Sequence, residues 1–436
     1  MNLKLDYGRD GLAVTLPPEA QAVVIRKPEL AVPGDPGAEI DAALDTPIGC
    51  GSLSALARQA RSACIVICDI TRPVPNHLFL RRIIQRLMAS GIVADAITVL
   101  VATGLHRPNL GDELAELIGD PWVLQNIRVV NHDARDGAGC VQLGQTVKHD
   151  CPVALNRILV DADLKIATGL VEPHFMAGYS GGRKVIAPGV AHHETIRTFH
   201  SARFMEHPAA TSCNLEGNPL HETQLEIVEM LNARSEVPML ALNTVLDEAR
   251  NLAHVTFGEI VASHGAAVAF ARASCEVAVD GKFQTVLTSS AGYPLDKTYY
   301  QTVKGMVTPL DILAPGGTLI IASECSEGVG SPEFRSAQER LVELGPQAFL
   351  ETLTAKRLAE IDEWQTEMQL KPMRVGRVQL YAPGLGADHA VTGVDQVDDI
   401  AKAVSESIAR SNDPRVAVIP EGPYVVPFSE LPIAAE

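Results

Sequence analysis

The sequence predicts an α/β protein, with two α/β domains, mostly parallel sheets and an active-site cleft between the domains. Three observations lead there. Short, continuous apolar runs alternate with segments of helical spacing, that rhythm restarts after Gly281, and polar clusters recur just beyond the apolar runs.

Ala63–Cys68 is an unbroken apolar run of strand length. Asn76 to Ser90 places Leu78, Ile83, Ile84, Leu87 and Met88 at helical intervals and stops at Gly91, a residue suited to the position just past a helix end. Ile97–Ala102, Ile127–Val130 and Leu164–Thr168 continue as strands, with a short helix over Gly111–Ile118. Continuous rather than alternating runs fit strands covered on both faces, hence a parallel sheet built from βαβ units. An Ala-rich helix, Gly258–Ala273, leads to a boundary near residues 270–280. Beyond it the expected elements are a strand (Gln284–Ser289), a helix (Lys297–Leu313), a strand (Gly317–Ala322) and a helix (Ser331–Leu344). This gives a first domain over residues 1–275, a second over 276–395, and a segment 396–436, with a helix (Val397–Ala409) and a strand (Val416–Ile419), expected to pack back on the first domain.

A chain of 436 residues that is 46% hydrophobic and 20% charged can bury a core in each of two or three domains. Its formal net charge of −17 disfavours nucleic acid and anionic membranes as partners, since both reward a basic face. The polar Met1–Asp10 stretch and the absence of an 18-residue apolar run predict neither a signal peptide nor a membrane span. Cys50, Cys64, Cys68, Cys140, Cys151, Cys213, Cys275 and Cys325 stand singly, without a C-x-x-C pair. Reduced, mostly buried thiols in a cytoplasmic protein are the expectation.

The polar clusters carry the chemistry. Asp69–Pro73, Ala102–Pro108 and Thr168–His174 follow strands of the first half, and Ser289–Asp296 and Ser323–Gly328 follow strands of the second. Ligands of open α/β sheets bind at the carboxyl ends of strands, so five such clusters point to a cleft. In the densest stretch, Pro173–Lys184, the glycines Gly178, Gly181 and Gly182 would let backbone N–H groups approach an anion beside Lys184. Val185 after that lysine excludes a Walker A loop, and no G-x-G-x-x-G follows an early strand, so a standard dinucleotide site has little support. His193 and His200 lie seven apart, on one face if helical, a spacing that more often belongs to surface or capping histidines than to metal ligands. His106 and His174, each beside a strand end, with Arg72, suggest an acid/base pair and an anion clamp.

D-x-T-R-P-x-P (Asp69–Pro75), A-T-G-x-H-R (Ala102–Arg107), N-H-D (Asn131–Asp133) and E-P-H-F-x-A-G-x-S-G-G-x-K (Glu172–Lys184) resemble the lactate racemase family of nickel-pincer nucleotide-dependent 2-hydroxy acid racemases and epimerases. Pro188-Gly189, His200, E-G-N-P (Glu216–Pro219), G-Y-P-L-D-x-x-x-Y-Q-x-x-K-G (Gly292–Gly305) and Trp364-Gln365 extend the resemblance in order along most of the chain. The resemblance implies a nickel-pincer nucleotide (pyridinium-3-thioamide-5-thiocarboxylic acid mononucleotide with Ni) bound covalently at Lys184, with His200 completing the metal's coordination. It implies His106 and His174 as acid/base residues and Arg72 as the grip on the substrate carboxylate. Tyr300, Gln301, Lys304 and Trp364 would line the substrate pocket, Asp69 would orient Arg72 or a histidine near the cofactor, and Ser180, Gly181 and Gly182 would hold its phosphate. Its partners would be a small 2-hydroxy acid and the enzymes that mature the cofactor.

The C2 hydrogen of a 2-hydroxy acid is a very weak acid. Taking the hydroxyl proton while C2 gives hydride to a cofactor avoids the carbanion and leaves a planar keto acid that can be reduced from either face. The hydroxyl lies differently for the two faces, so two histidines poised near neutral pH are useful. Two departures from the family wording, Leu295–Tyr299 and Tyr179 where Phe is usual, bear on which substrate fits. Within the family the alternative is a sugar-acid (aldonate) 2-epimerase. Outside it stand a nicotinamide-dependent dehydrogenase and a non-enzymatic nucleotide-binding protein.

Overall fold

The alternation of apolar runs and helix-spaced segments becomes two six-stranded sheets in a computed structural model that describes residues 1–430. The sheets belong to two units. The inner unit comprises Glu29–Phe199 and Ala209–Ala273, and the terminal unit comprises Met1–Pro28, His200–Pro208 and the chain from Ser274 onward. In chain order the strands are Gln21–Val24 (β1), Ala63–Cys68 (β2), Ile97–Ala102 (β3), Arg128–Asn131 (β4), Leu164–Leu170 (β5), Leu240–Leu246 (β6) and Leu252–Glu259 (β7). After the boundary come Phe283–Ser289 (β8), Leu313–Ala322 (β9), Arg377–Tyr381 (β10), Asp395–Gln396 (β11) and Arg415–Ile419 (β12).

The inner sheet runs β7-β6-β5-β2-β3-β4, parallel throughout except for the antiparallel pair β6/β7. Ile65, Val66, Ile67, Val99, Leu100 and Val101 are fully buried, as strands covered on both faces require. One cover is the helix Asn76–Ala89, which buries Phe79, Leu80, Ile83, Ile84 and Leu87 at three- and four-residue intervals and ends at Ser90. From β2 the chain proceeds outward to β3 and β4, then returns to β5 on the other side of β2. The order therefore reverses between β2 and β5, and the carboxyl ends of those two strands flank the crevice that such a reversal opens.

The terminal sheet runs β11-β10-β9-β8-β12-β1, all parallel. The expectation that the last segment packs back on the first domain is corrected here. β12 pairs with β8 on one side and β1 on the other, and Val416, Ala417, Val418 and Ile419 are fully buried. Four apolar residues in a row bury two faces at once, which suits a central strand. Residues 1–28 also leave the first domain, because Gln21–Val24 completes this sheet's edge.

Two element ends differ from expectation for local reasons. The helix expected over Lys297–Leu313 spans Tyr299–Val307, with the Thr298 hydroxyl accepting from the Gln301 amide, and Leu313 already begins β9. Thr308 still has helical dihedrals (φ −56°, ψ −43°), and Pro309, which has no amide N–H to continue the hydrogen-bond ladder, ends the helix after it. The helix expected from Gly258 starts at Ile260, where the Glu259 carboxylate accepts from the Val261 and Ala262 amides at 2.9 Å and caps it.

Candidate active site

Three inner-unit segments leave strand ends beside the β2/β5 reversal, and their side chains meet. Just past β2, the buried Asp69 accepts from the Thr71 hydroxyl at 2.6 Å through Oδ1 and pairs through Oδ2 with His106 Nδ1 at 2.6 Å. Burial pushes the Asp69 carboxyl up, but the His106 and Thr71 hydrogen bonds and the positive charge of Arg72 outweigh it, so the group titrates below the usual carboxylate range. A charged Asp69 requires a proton on His106 Nδ1. In the neutral ring that leaves Nε2 as a lone pair, on a side chain 59% exposed. His106 is carried by the turn after β3, where its amide donates to Thr103 O and Gly104 donates to Gly189 O at 2.9 Å.

His174 has the opposite arrangement. It lies in a two-residue antiparallel pairing of Pro173–His174 with Gly178–Tyr179, and its Nδ1 accepts from the Met176 and Ala177 amides at 3.3 and 3.2 Å. Its neutral ring therefore carries the proton on Nε2. Arg72 Nη1 meets Glu172 Oε1 at 3.0 Å, so the expected carboxylate grip already holds an internal carboxylate. Glu172 is a site residue that the sequence placed inside a motif without giving it a role.

The Ser180–Lys184 loop differs from the anion cradle expected of it. The Ser180 hydroxyl donates to Leu170 O at 2.7 Å and accepts from the Glu172 amide at 3.0 Å, and the Gly182 amide donates to Asn243 Oδ1 at 3.0 Å. The two glycines answer a packing need. A Cβ on Gly181 would lie 2.6 Å from the Val171 side chain, and one on Gly182 would lie 2.8 Å from the His264 ring. Asn243 and His264 come from β6 and the helix Ile260–Cys275, too far along the chain for any local pattern to announce them.

Lys184, on the short helix Arg183–Ile186, is half-buried, and among the described residues its amine has no hydrogen-bond or ion-pair partner. Burial, then the charges of Arg72 and Arg183, lower it to about 7. Arg183 is almost fully buried. It donates to His221 Nδ1 at 2.7 Å and to Ala177 O and Tyr179 O at 3.0 and 3.1 Å, with His264 Nε2 2.9 Å from its Nη1. By contrast Arg107 turns outward, its guanidinium forked on Glu113 at 2.7 and 2.6 Å. His132 of the Asn131–Asp133 motif is structural, with Nε2 on Ala191 O and Nδ1 accepting from Asn156.

The remaining expected residues lie in the terminal unit. The buried His200, one residue past the end of the helix His193–Phe199, faces the Trp364 ring with centroids 4.7 Å apart. The neighbouring Gln365 donates to Tyr300 O at 2.7 Å, tying the helix Glu363–Val375 to the helix Tyr299–Val307. Tyr300 and Lys304 share one face of that helix at i,i+4 spacing, and Tyr300 packs edge-on against Phe334. Gln301 Oε1 is buried with no hydrogen-bond partner among the described residues, an acceptor suited to a ligand's donor. Asp296, of the Gly292–Gly305 motif, accepts from the Gly8 amide at 2.7 Å and the Glu324 amide at 3.2 Å and holds loops of the terminal unit together.

An aspartate-oriented histidine, a second histidine whose Nδ1 accepts from the backbone and an arginine paired with a carboxylate form an arrangement suited to acid–base chemistry in an α/β enzyme. Comparison with known proteins narrows this. The lactate racemase N-terminal domain model matches residues 7–212, and the lactate racemase C-terminal domain model matches residues 280–426. A lactate racemase from Thermoanaerobacterium thermosaccharolyticum is 30% identical over 435 residues, 98% of this chain and 99% of that protein. One from Lactiplantibacillus plantarum is 32% identical over 407 residues, 89% and 90% of the two chains. The solved lactate racemase apoprotein from T. thermosaccharolyticum superposes with a TM-score of 0.88 at 28% identity, covering 98% of this chain and 100% of that one. A Thermotoga maritima protein shares the fold alone, at a TM-score of 0.66 and 17% identity over 91% of this chain and 99% of that one. The chain belongs to the lactate racemase family, and it is an isomerase.

Proposed function

We propose that the chain interconverts the two C2 configurations of a small 2-hydroxy acid, lactate or a close relative, with a nickel-pincer nucleotide attached at Lys184. The observation that carries the reading is the complementary hydrogen bonding of two histidines: His106 Nδ1 is paired with the Asp69 carboxylate, whereas His174 Nδ1 accepts from backbone amides, so neutral rings would carry opposite tautomers. A racemase needs a proton taken from the hydroxyl of one enantiomer and given to the oxygen of the other, and this arrangement starts with one ring ready for each task. Arg72 holds the substrate carboxylate in place of Glu172 and keeps it fixed while the planar keto acid turns. Asp69 fixes the His106 tautomer and stabilises the ring once it has taken the hydroxyl proton at Nε2.

Lys184 fits a covalent attachment point, because among the described residues its amine has no hydrogen-bond or ion-pair partner and burial, with the charges of Arg72 and Arg183, lowers it to about 7, so it is nucleophilic under ordinary conditions. When bound, the nucleotide supplies a reversible hydride acceptor. Among the described residues no group of three or more His, Cys, Asp or Glu could hold a metal, so a nickel ligated by His200 would take its other donors from the nucleotide. Tyr300, Gln301, Lys304 and Trp364 are assigned to the substrate, with Gln301 Oε1 the acceptor in need of a donor. Eight cysteines without a disulfide support a reducing compartment, the cytoplasm. Among the described residues no helix is long and apolar enough to cross a membrane. The partners of the chain in this reading are its substrate and the enzymes that make the nucleotide.

The test is the chain produced together with cofactor-synthesis enzymes, weighed intact, assayed for nickel, and offered each enantiomer of lactate, malate and an aldonate. Expected are a mass increment, about one nickel per chain and racemisation of lactate, all lost in Lys184→Ala. Full turnover in that variant would overturn the attachment. Turnover of the aldonate alone would make the chain a sugar-acid epimerase.

A further inference from the structure

A guanidinium buried away from every acid is uncommon, because the charge of a buried Arg is normally met by a carboxylate. Arg183 is 1% exposed, and its partners are two imidazoles and two backbone carbonyls, all neutral. Burial alone lowers it to about 9, and the same charge pushes His221 down to about 3 and His264 well below the usual imidazole range, after burial in each case. The histidines therefore stay neutral and leave the positive charge uncancelled. The carbonyls that Arg183 holds belong to Ala177 and Tyr179, and His264 also meets Ser180 O at 2.8 Å. One guanidinium thus ties down the loop that delivers Lys184.

We propose that Arg183 is a positioning residue for Lys184: locked among neutral acceptors, it fixes the loop that carries Lys184 and keeps an uncancelled positive charge on the residue next to it, where it adds to burial and to the charge of Arg72 and is opposed by Cys68 and Glu172. The proposal deepens the attachment role given to Lys184 above, yet it concerns the bare chain and holds for any small acyl group. With acetic anhydride as probe, Nζ attacks a carbonyl carbon, an N–C amide bond forms, acetate leaves with the C–O bonding pair, and the ammonium proton passes to solvent. Arg183 takes no part in bond making. It is set for this role by its fixed position, since four of its five N–H groups are engaged by the protein.

The experiment is acetylation of the bare chain with limiting acetic anhydride across pH 5.5–10.5, with peptide mass spectrometry reading Lys184 against Lys402, whose side chain is 74% exposed. In the wild type, Lys184 acetylation is expected to reach half its maximum near pH 7, well before that of Lys402. Arg183→Gln should move the Lys184 midpoint upward and cut its acetylation relative to Lys402 at pH 7, by about tenfold for each unit the midpoint moves. His221→Asp leaves Arg183 in place but sets an acid against its Nε, and should raise the midpoint in the same direction. A wild-type Lys184 that follows the Lys402 profile overturns the proposal without any variant. So does a folded Arg183→Gln or His221→Asp chain, checked by circular dichroism, whose midpoint stays near 7. A low midpoint in a chain that racemises nothing when loaded would separate this inference from the proposed function.

Discussion

At the scale of single residues, the Asp69–His106 pair makes the most direct prediction. Asparagine at 69 can offer an N–H to His106 Nδ1 and favour the other tautomer, so Asp69→Asn should lower kcat by about 10²–10⁴-fold with little change in KM. Steady-state rates from each enantiomer check this, and a KM effect alone would assign Asp69 to binding. The same variant has a signature in stability. The folded Asp69 carboxyl titrates below its unfolded value, so its contribution is present above the unfolded pKa of about 3.9 and is lost as pH falls through the folded one. Asp69→Asn should therefore be less stable than the wild type at neutral pH, and the gap should close in acid. His106, His174, Arg72 and Lys184 were legible in the sequence because each stands in a dense polar stretch at a strand end. Glu172, Arg183 and Asn243 were not assigned, because their roles come from partners that the fold brings from elsewhere.

Among the elements, the loop between β5 and the short helix Arg183–Ile186 shows that a glycine pattern can answer a packing need. Two adjacent glycines before a lysine suggest an anion cradle, and the crowding of Gly181 by Val171 and of Gly182 by His264 is a second demand that the sequence does not announce. Gly182 has φ of +48°, so Gly182→Ala adds backbone strain to a 2.8 Å clash and should cost about 1–3 kcal/mol. A drop in urea midpoint at unchanged slope would register it, and an unshifted midpoint would show that the His264 ring gives way freely. The long apolar strands were legible from their unbroken runs. Gln21–Val24 was not, because four residues of half-exposed edge strand carry too little pattern, and the helix after Thr298 was overextended because Pro309 was given too little weight.

For the molecule as a whole, the sequence revealed two βαβ arrays but not how the chain divides between them. Local pattern reports neighbours in sequence, whereas β12 lies between strands more than a hundred residues earlier. A chain cut after residue 411 loses β12, the strand beside the sheet's edge, and leaves β1 without a neighbour. Such a chain should be insoluble, or rapidly digested within residues 274–411 under limited proteolysis. A digestion pattern like that of the full chain would show that β12 is dispensable.

The placing of β12 between β8 and β1 also sets a timetable for biosynthesis. Residues 29–273 hold every strand of the inner sheet, and the stretch His200–Pro208 that belongs to the terminal unit carries none of them, so that sheet can form while the ribosome is still translating. β1, made almost at the start, must wait for Arg415–Ile419 before it has a partner. For most of translation the nascent polypeptide carries an early segment with unmet hydrogen-bonding groups, a natural client for chaperones, while the lysine-bearing half is already folded and displayed.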